Sequence, residues 1–319
     1  MKLLRSLASF PAALQGGAVS IGNFDGVHLG HAQIIERLVA QARRCGGPAV
    51  VFTFDPHPSR VLRPQQAPTP LSTAEQKAEL LTNLGVDAVV AYPTDRALLD
   101  LEPEDFFEQI VVEKLGARAM VEGHDFFFGR ARRGDSRLLE GLCAAAGITL
   151  EVVDALCASE EVVSSSRIRR LISDCRMEEA SSLLTRPYRI AGVVERGAGR
   201  GRKLGYPTAN IGQIATLLPG EGIYAGLAWT DGRAYPAAIS LGGNPTFGEG
   251  ALKVEVFLIG FSGDLYDRRL AVDFLTRLRD IVRFASVDEL IAQMQRDVET
   301  TRRIALSEIS GNVAMEEAG

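Results

Sequence analysis

The sequence predicts two domains of different class: an α/β domain built on a parallel sheet, then an all-β domain, sandwich or barrel, with a C-terminal helix. Three observations carry this. From Ala18 to about Ile172, apolar strand-like runs alternate with segments of helical periodicity, the pattern of βαβ units. From Tyr188 onward, strand-like runs follow one another with only glycines and prolines between them. Between the two stretches Thr185-Arg186-Pro187 breaks the periodicity, and 319 residues suit about two domains. The expected division is 1–183, 184–308 and a frayed tail over 309–319.

Each element has a local reason. Ala18-Val19-Ser20-Ile21 reads as the end of a buried strand, and Ile34 to Val39 has apolar residues at helical spacing. Pro48 to Phe54 is an apolar, β-branched run. Thr73 to Leu84 is helical, with Ser72 as cap and Glu75 in the first turn. Ala88 to Tyr92, Ala117 to Val121 and Ile148 to Val153 read as strands. Pro103 to Leu115 reads as a helix with proline in its first turn, Ser136 to Ala146 as one that stops at Gly147, and Glu178 to Leu184 as a short one. In the second half Arg189 to Val194, Gly222 to Trp229, Ala234 to Leu241, Leu252 to Ile259 and Leu270 to Leu275 read as strands. Val287 to Ile304 is a long helix, with Ser286 as cap and Glu289 completing a capping box.

Composition narrows the function classes. A net charge of −5 with no long basic run argues against nucleic-acid binding. Cys45, Cys143, Cys157 and Cys175 have no C-x-x-C spacing and read as reduced thiols of a cytoplasmic protein. The start Met1-Lys2-Leu3-Leu4-Arg5 looks like a signal peptide, but Arg5 and the following prolines and glycines interrupt it, and no segment has the apolar length of a membrane span. All four histidines, His28, His31, His57 and His124, lie in the first half, so chemistry in the second half runs without histidine.

Gly22-Asn23-Phe24-Asp25-Gly26-Val27-His28-Leu29-Gly30-His31 sits between a strand and a helix start, where unpaired N–H groups and the helix dipole favour a phosphate. His28 and His31 add donors for phosphoryl oxygens. Two surface histidines in a turn are the bland alternative; H-x-G-H at such a junction is far more specific. Three more segments follow strands. Thr53-Phe54-Asp55-Pro56-His57-Pro58 reads, by itself, as a proline-rich turn. In Glu122-Gly123-His124-Asp125-Phe126-Phe127-Phe128-Gly129-Arg130 three phenylalanines are core or an aromatic wall for a flat ring, and the nearby arginines suit a phosphate. Ser164-Ser165-Ser166-Arg167-Ile168-Arg169 opens a helix; its hydroxyls are ordinary caps that, with Arg167 and Arg169, also make an anion site.

In the second half, the stretch from Arg196 through Gly199, Gly201, Arg202, Lys203, Gly205 and Pro207 to Asn210 is rich in glycine and base. It has neither Walker nor dinucleotide spacing. A flexible basic loop is the alternative, yet Thr208 and Asn210 fall on one face of an extended chain, and hard oxygen ligands suit Mg²⁺. Lys253, Glu255 and Phe257 share one face of a strand. On pattern alone a glutamate beside a lysine faces solvent, although Phe257 on the same face argues against full exposure; any base in this half must be a group other than histidine.

These motifs resemble a known family. H-x-G-H is similar to the signature of class I synthetase-like nucleotidyltransferases. The longer G-N-F-D-G-V-H-x-G-H, the T-F-D-P-H-P, G-x-D-F-x-F-G and S-S-T-x-I-R motifs, and G-x-G-R-x-L-G-[FY]-P-T-A-N resemble the bifunctional riboflavin kinase/FMN adenylyltransferases of bacteria, over roughly residues 15 to 305. The resemblance continues through Gly222-Ile223-Tyr224-Ala225, Gly242-Gly243-Asn244-Pro245-Thr246-Phe247, Val254-Glu255-Val256, Asp264-Leu265-Tyr266, Leu278-Arg279-Asp280 and Arg283-Phe284. It implies a Rossmann-like nucleotidyltransferase domain, then a small β-barrel kinase domain. It implies catalytic roles for His28, His31 and Glu255, and Mg²⁺ on Thr208 and Asn210. ATP would be held by Gly22, Asn23, Phe24, Gly30, Ser164, Ser165, Ser166, Arg167 and Arg169 in one domain, and by Gly199, Gly201, Arg202, Lys203, Gly205 and Pro207 in the other. Flavin would be held by Asp55, His57, Asp125, Phe126, Phe128 and Arg279. The implied substrates are riboflavin, FMN and ATP, with FMN and FAD as products and neither nucleic acid nor membrane as partner. Ser166 replaces a usual threonine and keeps its hydroxyl. Phe257 stands where the family often has histidine, and Gly260 where aspartate is common. The alternative is a flavin- or nucleotide-binding regulatory protein with one catalytic half inactive; the intact His28, His31, Thr208, Asn210 and Glu255 argue against it.

Overall fold

In the first unit the strand order places the one junction that matters. A computed structural model describes residues 2–197, 199–244 and 249–316, and close packing divides the chain into Met1–Ser165 and Ser166–Gly319. Six parallel strands form the sheet of the first unit: β1 (Leu3–Leu4), β2 (Ala18–Ile21), β3 (Ala49–Asp55), β4 (Ala88–Pro93), β5 (Ala119–Gly123) and β6 (Thr149–Val153), in the order β1-β4-β3-β2-β5-β6. From β2 the chain winds outward to β3 and β4, then crosses back to β5 on the other side of β2. The reversal makes the carboxyl ends of β2 and β5 the crevice where such sheets bind ligands.

Both faces of this sheet are covered, which is why its strands are apolar without alternation. Between β2 and β6 lie α1 (Leu29–Cys45), α2 (Pro58–Leu62), α3 (Ala74–Asn83), α4 (Arg96–Leu99), α5 (Pro103–Phe106) and α6 (Ser136–Ala146). Ile35, Leu38 and Ala42 of α1 and Ala78 and Leu81 of α3 pack with Ala18, Val51 and Val121 on one face. Phe106, Phe107, Ile110 and Leu139 pack with Val19, Ile21, Phe52 and Met120 on the other.

Two local expectations are corrected. The helix expected over Pro103 to Leu115 is α-helical only through Phe106 and π-helical over Phe107–Lys114. The cap of α3 is Thr73, whose hydroxyl accepts from Gln76 N–H while the Gln76 side chain accepts from Thr73 N–H. Ser72 instead donates to Asp25. A short hairpin of β7 (Cys157–Ala158) and β8 (Glu161–Val162) ends the unit.

The second unit opens within α7 (Ser165–Ser173), followed by α8 (Met177–Leu183). Then β9 (Tyr188–Glu195), α9 (Arg200–Lys203), β10 (Ala209–Gly212), β11 (Gly222–Thr230), β12 (Arg233–Asn244), β13 (Glu249–Leu258) and β14 (Arg269–Arg279) lead to α10 (Val287–Glu316). The six strands close into an antiparallel barrel, β10-β13-β12-β11-β14-β9. Residues 309–316, expected as tail, continue α10. Ser286 Oγ accepts from Glu289 N–H as expected, while Glu289 reaches Ala285 N–H. Leu227 and Leu275 of the barrel bury against Ala305 of α10.

Candidate functional site

The junction after β2 is held in a conformation the backbone does not choose freely. Phe24 and Val27 have φ of 44° and 43°, in the left-handed region that β-branched and bulky residues avoid. Asp25, buried, accepts from the N–H groups of Leu71 and Ser72 and from Ser72 Oγ. Gly26 N–H donates to Ser72 Oγ. The loop is therefore sewn to the residues that start α3.

His28 and His31 open α1 as a reciprocal cap. His28 Nδ1 accepts from His31 N–H and His31 Nδ1 from His28 N–H, both at 3.3 Å. Each Nδ1 is therefore unprotonated, and each neutral ring carries its hydrogen on Nε2. The rings stack with centroids 3.6 Å apart. Burial pushes His28 down to about 4, against the opposing pull of Asp25 and Asp125. Burial, then His28 and Lys77, holds His31 well below the ordinary imidazole value. Two neutral Nε2–H donors are what this arrangement offers an anion. A Cβ on Gly30 would lie 3.3 Å from the His28 ring, so this position leaves little room for a side chain.

The other expected residues of the sheet domain stand as follows. Asp125 follows β5 closely enough to act on His28. Ser165, the last residue of the first unit, donates from Oγ to Asp25 O at 2.9 Å, and Ser164 is half-buried before it. Ser166, Arg167 and Arg169 continue α7. Asp55 pairs with Arg5, and His57 caps α2. Phe126 stacks on Phe128, which is a buried core residue. Phe127, which no sequence motif distinguishes, is the exposed ring of the three, with Arg132 over its face.

Two buried ionisable residues have no motif to mark them in the sequence. Lys77 of α3 is 6% exposed and donates to the Asn23 carbonyl and to Thr53 Oγ1. Glu122 of β5 is 2% exposed and accepts from Ile21 N–H at 2.8 Å, across the gap where β2 and β5 diverge. Burial raises its carboxyl well above the usual range.

In the barrel, register brings the second set together. Asn210 of β10 lies opposite Glu255 of β13 on one side and Glu195 of β9 on the other, and Ser240 of β12 lies opposite Glu255. Opposed residues share a face. Val254, Val256 and Leu258 point into the barrel, leaving Lys253, Glu255 and Phe257 on its outer face, as the alternation predicts. Tyr206 meets Phe257 edge-on at 5.4 Å. A Cβ on Gly201 would lie 2.2 Å from Tyr206 O and 3.4 Å from Thr208 Oγ1, and one on Gly197 would lie 2.2 Å from Asn210 Nδ2. The glycine-rich loop is thus wrapped directly over Thr208 and Asn210. Gly199 and Gly205 have left-handed φ of 67° and 85°. Arg202 and Pro207 are exposed, and Lys203 lies at the end of α9.

Arg279 of β14 lies opposite Ile223 of β11, which lies opposite Ser240 of β12, the neighbour of Glu255. The Arg279 guanidinium holds Asp297 of α10 in a two-pronged pair, with Nη2 at 2.8 Å, and donates to Asp280 O. Of the segments in the resemblance, 245–248 lie outside the described residues.

No group of three histidine, cysteine or carboxylate residues poised for a metal occurs among the described residues. Mg²⁺ needs none, because it keeps waters and substrate phosphates as ligands. The hydroxyl of Thr208 and the amide oxygen of Asn210, with Glu255 opposite, fit that ion.

Comparison with known proteins finds a separate family match for each half of the chain. Residues 10–167 match the family described as FAD synthetase, and 184–305 the family described as riboflavin kinase. Bifunctional riboflavin kinase/FMN adenylyltransferases are similar along nearly the whole chain. That of Pseudomonas fluorescens is 37% identical, covering 96% of this chain and 98% of the relative. That of Escherichia coli K12 is 34% identical over 95% and 97%, and that of Haemophilus influenzae 33% over 95% and 98%. A crystal structure described as a macrolide-efflux protein from Streptococcus pneumoniae superposes with a TM-score of 0.84 at 28% identity, over 94% of this chain and 98% of that one. Among the described residues of the present chain, no helix is long and apolar enough to cross a membrane. The paired motifs, the two folds that carry them and these relatives together make the chain a member of the bifunctional riboflavin kinase/FMN adenylyltransferase family.

Proposed function

We propose that the chain makes FAD from riboflavin in two steps, with residues 1–183 and 184–308 each carrying one, and with the following residues doing the chemistry. In the barrel, the ribityl 5′-oxygen of riboflavin attacks the γ-phosphorus of ATP, the bond to the β-phosphate oxygen breaks, and ADP leaves. Glu255 accepts the hydroxyl proton. The loop from Gly199 to Pro207 holds the nucleotide through its N–H groups and base, and Phe257 forms a wall for the flavin ring. Mg²⁺, held by Thr208 and Asn210, supplies positive charge to the phosphates. The observation that carries this assignment is the register that sets Asn210 opposite Glu255.

In the sheet domain, a phosphate oxygen of FMN attacks the α-phosphorus of a second ATP, and pyrophosphate leaves. That phosphate is already ionised at neutral pH, so no base is needed. The Nε2–H groups of His28 and His31 donate to the charge that builds on the α-phosphate, while Gly22 to Phe24 and Ser164 to Arg169 grip the nucleotide. Asp55, His57, Asp125 and Phe126 flank the flavin, with Phe128 as the core ring behind Phe126. Four cysteines without C-x-x-C spacing, read as reduced thiols, support action in the cytoplasm.

The test is Glu255→Gln, nearly isosteric. Riboflavin phosphorylation at saturating riboflavin and ATP-Mg²⁺ should fall by about 10²-fold or more, while FMN-to-FAD conversion stays normal. A kinase rate within about threefold of wild type would exclude Glu255 as the base.

A further inference from the structure

The H-x-G-H loop is strained, and its hydrogen bonds show what holds it. Asn23 stands directly before Phe24, whose φ of 44° must be imposed from outside. The Asn23 carbonyl accepts from Thr53 Oγ1 at 3.1 Å and from the Lys77 ammonium, which also donates to Thr53 Oγ1 at 3.0 Å. One cation thus joins three elements: the loop after β2, the end of β3 and the first turns of α3. Lys77 is 6% exposed and Thr53 1%. Burying a lysine so deeply is costly unless its ammonium is hydrogen-bonded, and both of these bonds go to residues outside α3.

We propose that Lys77 is a positioning residue for adenylyl transfer: its ammonium fixes the Asn23 carbonyl, and so the Phe24–His31 backbone, at the ATP phosphates. This rests on the reading of the loop as the ATP site. Around Lys77 stand Asp25 from the loop, Asp55 from β3, which also pairs with Arg5, and the neutral His31 from α1. Glu75, on α3 itself, also pairs with Arg5. Burial lowers Lys77 to about 8 while Asp25 and Asp55 oppose the fall. The ammonium is therefore present at neutral pH and is lost above about pH 8. Only the charged form donates to both acceptors while keeping its attraction to the two carboxylates.

The experiment follows FAD formation from FMN and ATP-Mg²⁺ between pH 6 and 10, with riboflavin phosphorylation by the same preparation as control. The wild type should hold its rate through neutrality and lose it above about pH 8. Lys77→Met should lower kcat at neutral pH by between about tenfold and 10²-fold, leave KM for ATP within about threefold, abolish the alkaline fall, and spare the kinase. Thr53→Val removes one acceptor of the charged form and should move the alkaline fall to lower pH; it decides the matter if Lys77→Met does not fold. A folded Lys77→Met with wild-type kcat, or with the alkaline fall retained, overturns the proposal. So does Thr53→Val with an unmoved alkaline fall. His31→Ala run alongside separates the two readings: if it also leaves FAD formation intact, the loop is not the ATP site; if it abolishes FAD formation, only the role of Lys77 fails.

Discussion

Replacing Glu122 by glutamine should make the first unit more stable at neutral pH, by an amount that grows with pH. The carboxyl is 2% exposed and burial raises it well above the ordinary carboxylate range, with only the bond from Ile21 N–H opposing. Below about pH 4.3 the folded and unfolded chains both carry the proton, so glutamine and glutamate should differ little. Above it the unfolded chain ionises and the folded chain does not. The wild type therefore loses stability as pH rises toward the folded value, at about 1.4 kcal/mol per unit of displacement. Glutamine escapes this loss and keeps a side-chain oxygen for Ile21 N–H, whose orphaning would itself cost about 1–3 kcal/mol. One unit of displacement alone corresponds to a rise in Tm of roughly 3–6 °C for a domain of this size. Trp229, the chain's single tryptophan, lies in the barrel, so a calorimetric transition silent in tryptophan fluorescence belongs to the first unit. Scans from pH 4.5 to 8 should show the advantage of Glu122→Gln opening with pH. An equal or lower Tm throughout, or an advantage that shrinks as pH rises, would refute the buried neutral carboxyl.

Three further outcomes follow. Gly197→Ala drives a methyl to 2.2 Å from Asn210 Nδ2 and should lower riboflavin phosphorylation at least tenfold by displacing a Mg²⁺ ligand; an unchanged rate and Mg²⁺ requirement would count against Asn210. With His28 at about 4 and His31 well below the ordinary value, both rings stay neutral across physiological pH. The pH profile of FAD formation should then lack a step near 6.5 that His31→Ala removes; finding one would mean the histidines act as cations. Asp297→Ala leaves the Arg279 guanidinium, 21% exposed, without its partner and should lower the tryptophan-reported stability by about 2 kcal/mol; an unaltered transition would mean that α10 does not depend on the pair.

What the sequence makes legible depends on whether the determinant is local. His28 and His31 are readable because a strand, a turn and a helix start adjoin in the chain, and the alternation around Glu255 is enough to place it on one face of its strand. The strand β10 is too short to announce itself by pattern, although Asn210 within it and Thr208 just before it stand out. Ser72 and Thr73 are both acceptable caps; Ser72 is taken by Asp25, which lies far off in sequence. Lys77 sits among Ala74-Glu75-Gln76 and Ala78-Glu79, where a lysine normally faces water, and only the return of the loop after β2 buries it. Glu122 looks like the polar end of a strand until the crossing of the chain from β4 to β5 sets it beside Ile21. Of the three adjacent phenylalanines, strand geometry no longer applies after Gly123, so alternation does not tell which ring faces out. The pairing of Arg279 with Asp297 is not legible in the sequence, because Asp297 comes from a helix that sequence alone does not dock.

We propose that the two steps are carried by separate sites on one chain, one with Glu255 and the other with His28. Mixing two inactive variants tests it directly. His28→Ala supplied with riboflavin and ATP-Mg²⁺ should accumulate FMN and no FAD, and Glu255→Gln under the same conditions should make neither. Combined in one vessel, the two should form FAD, because FMN released by the first variant feeds the intact sheet domain of the second. A mixture that remains without FAD, while each variant is folded and Glu255→Gln still converts added FMN, would contradict the account.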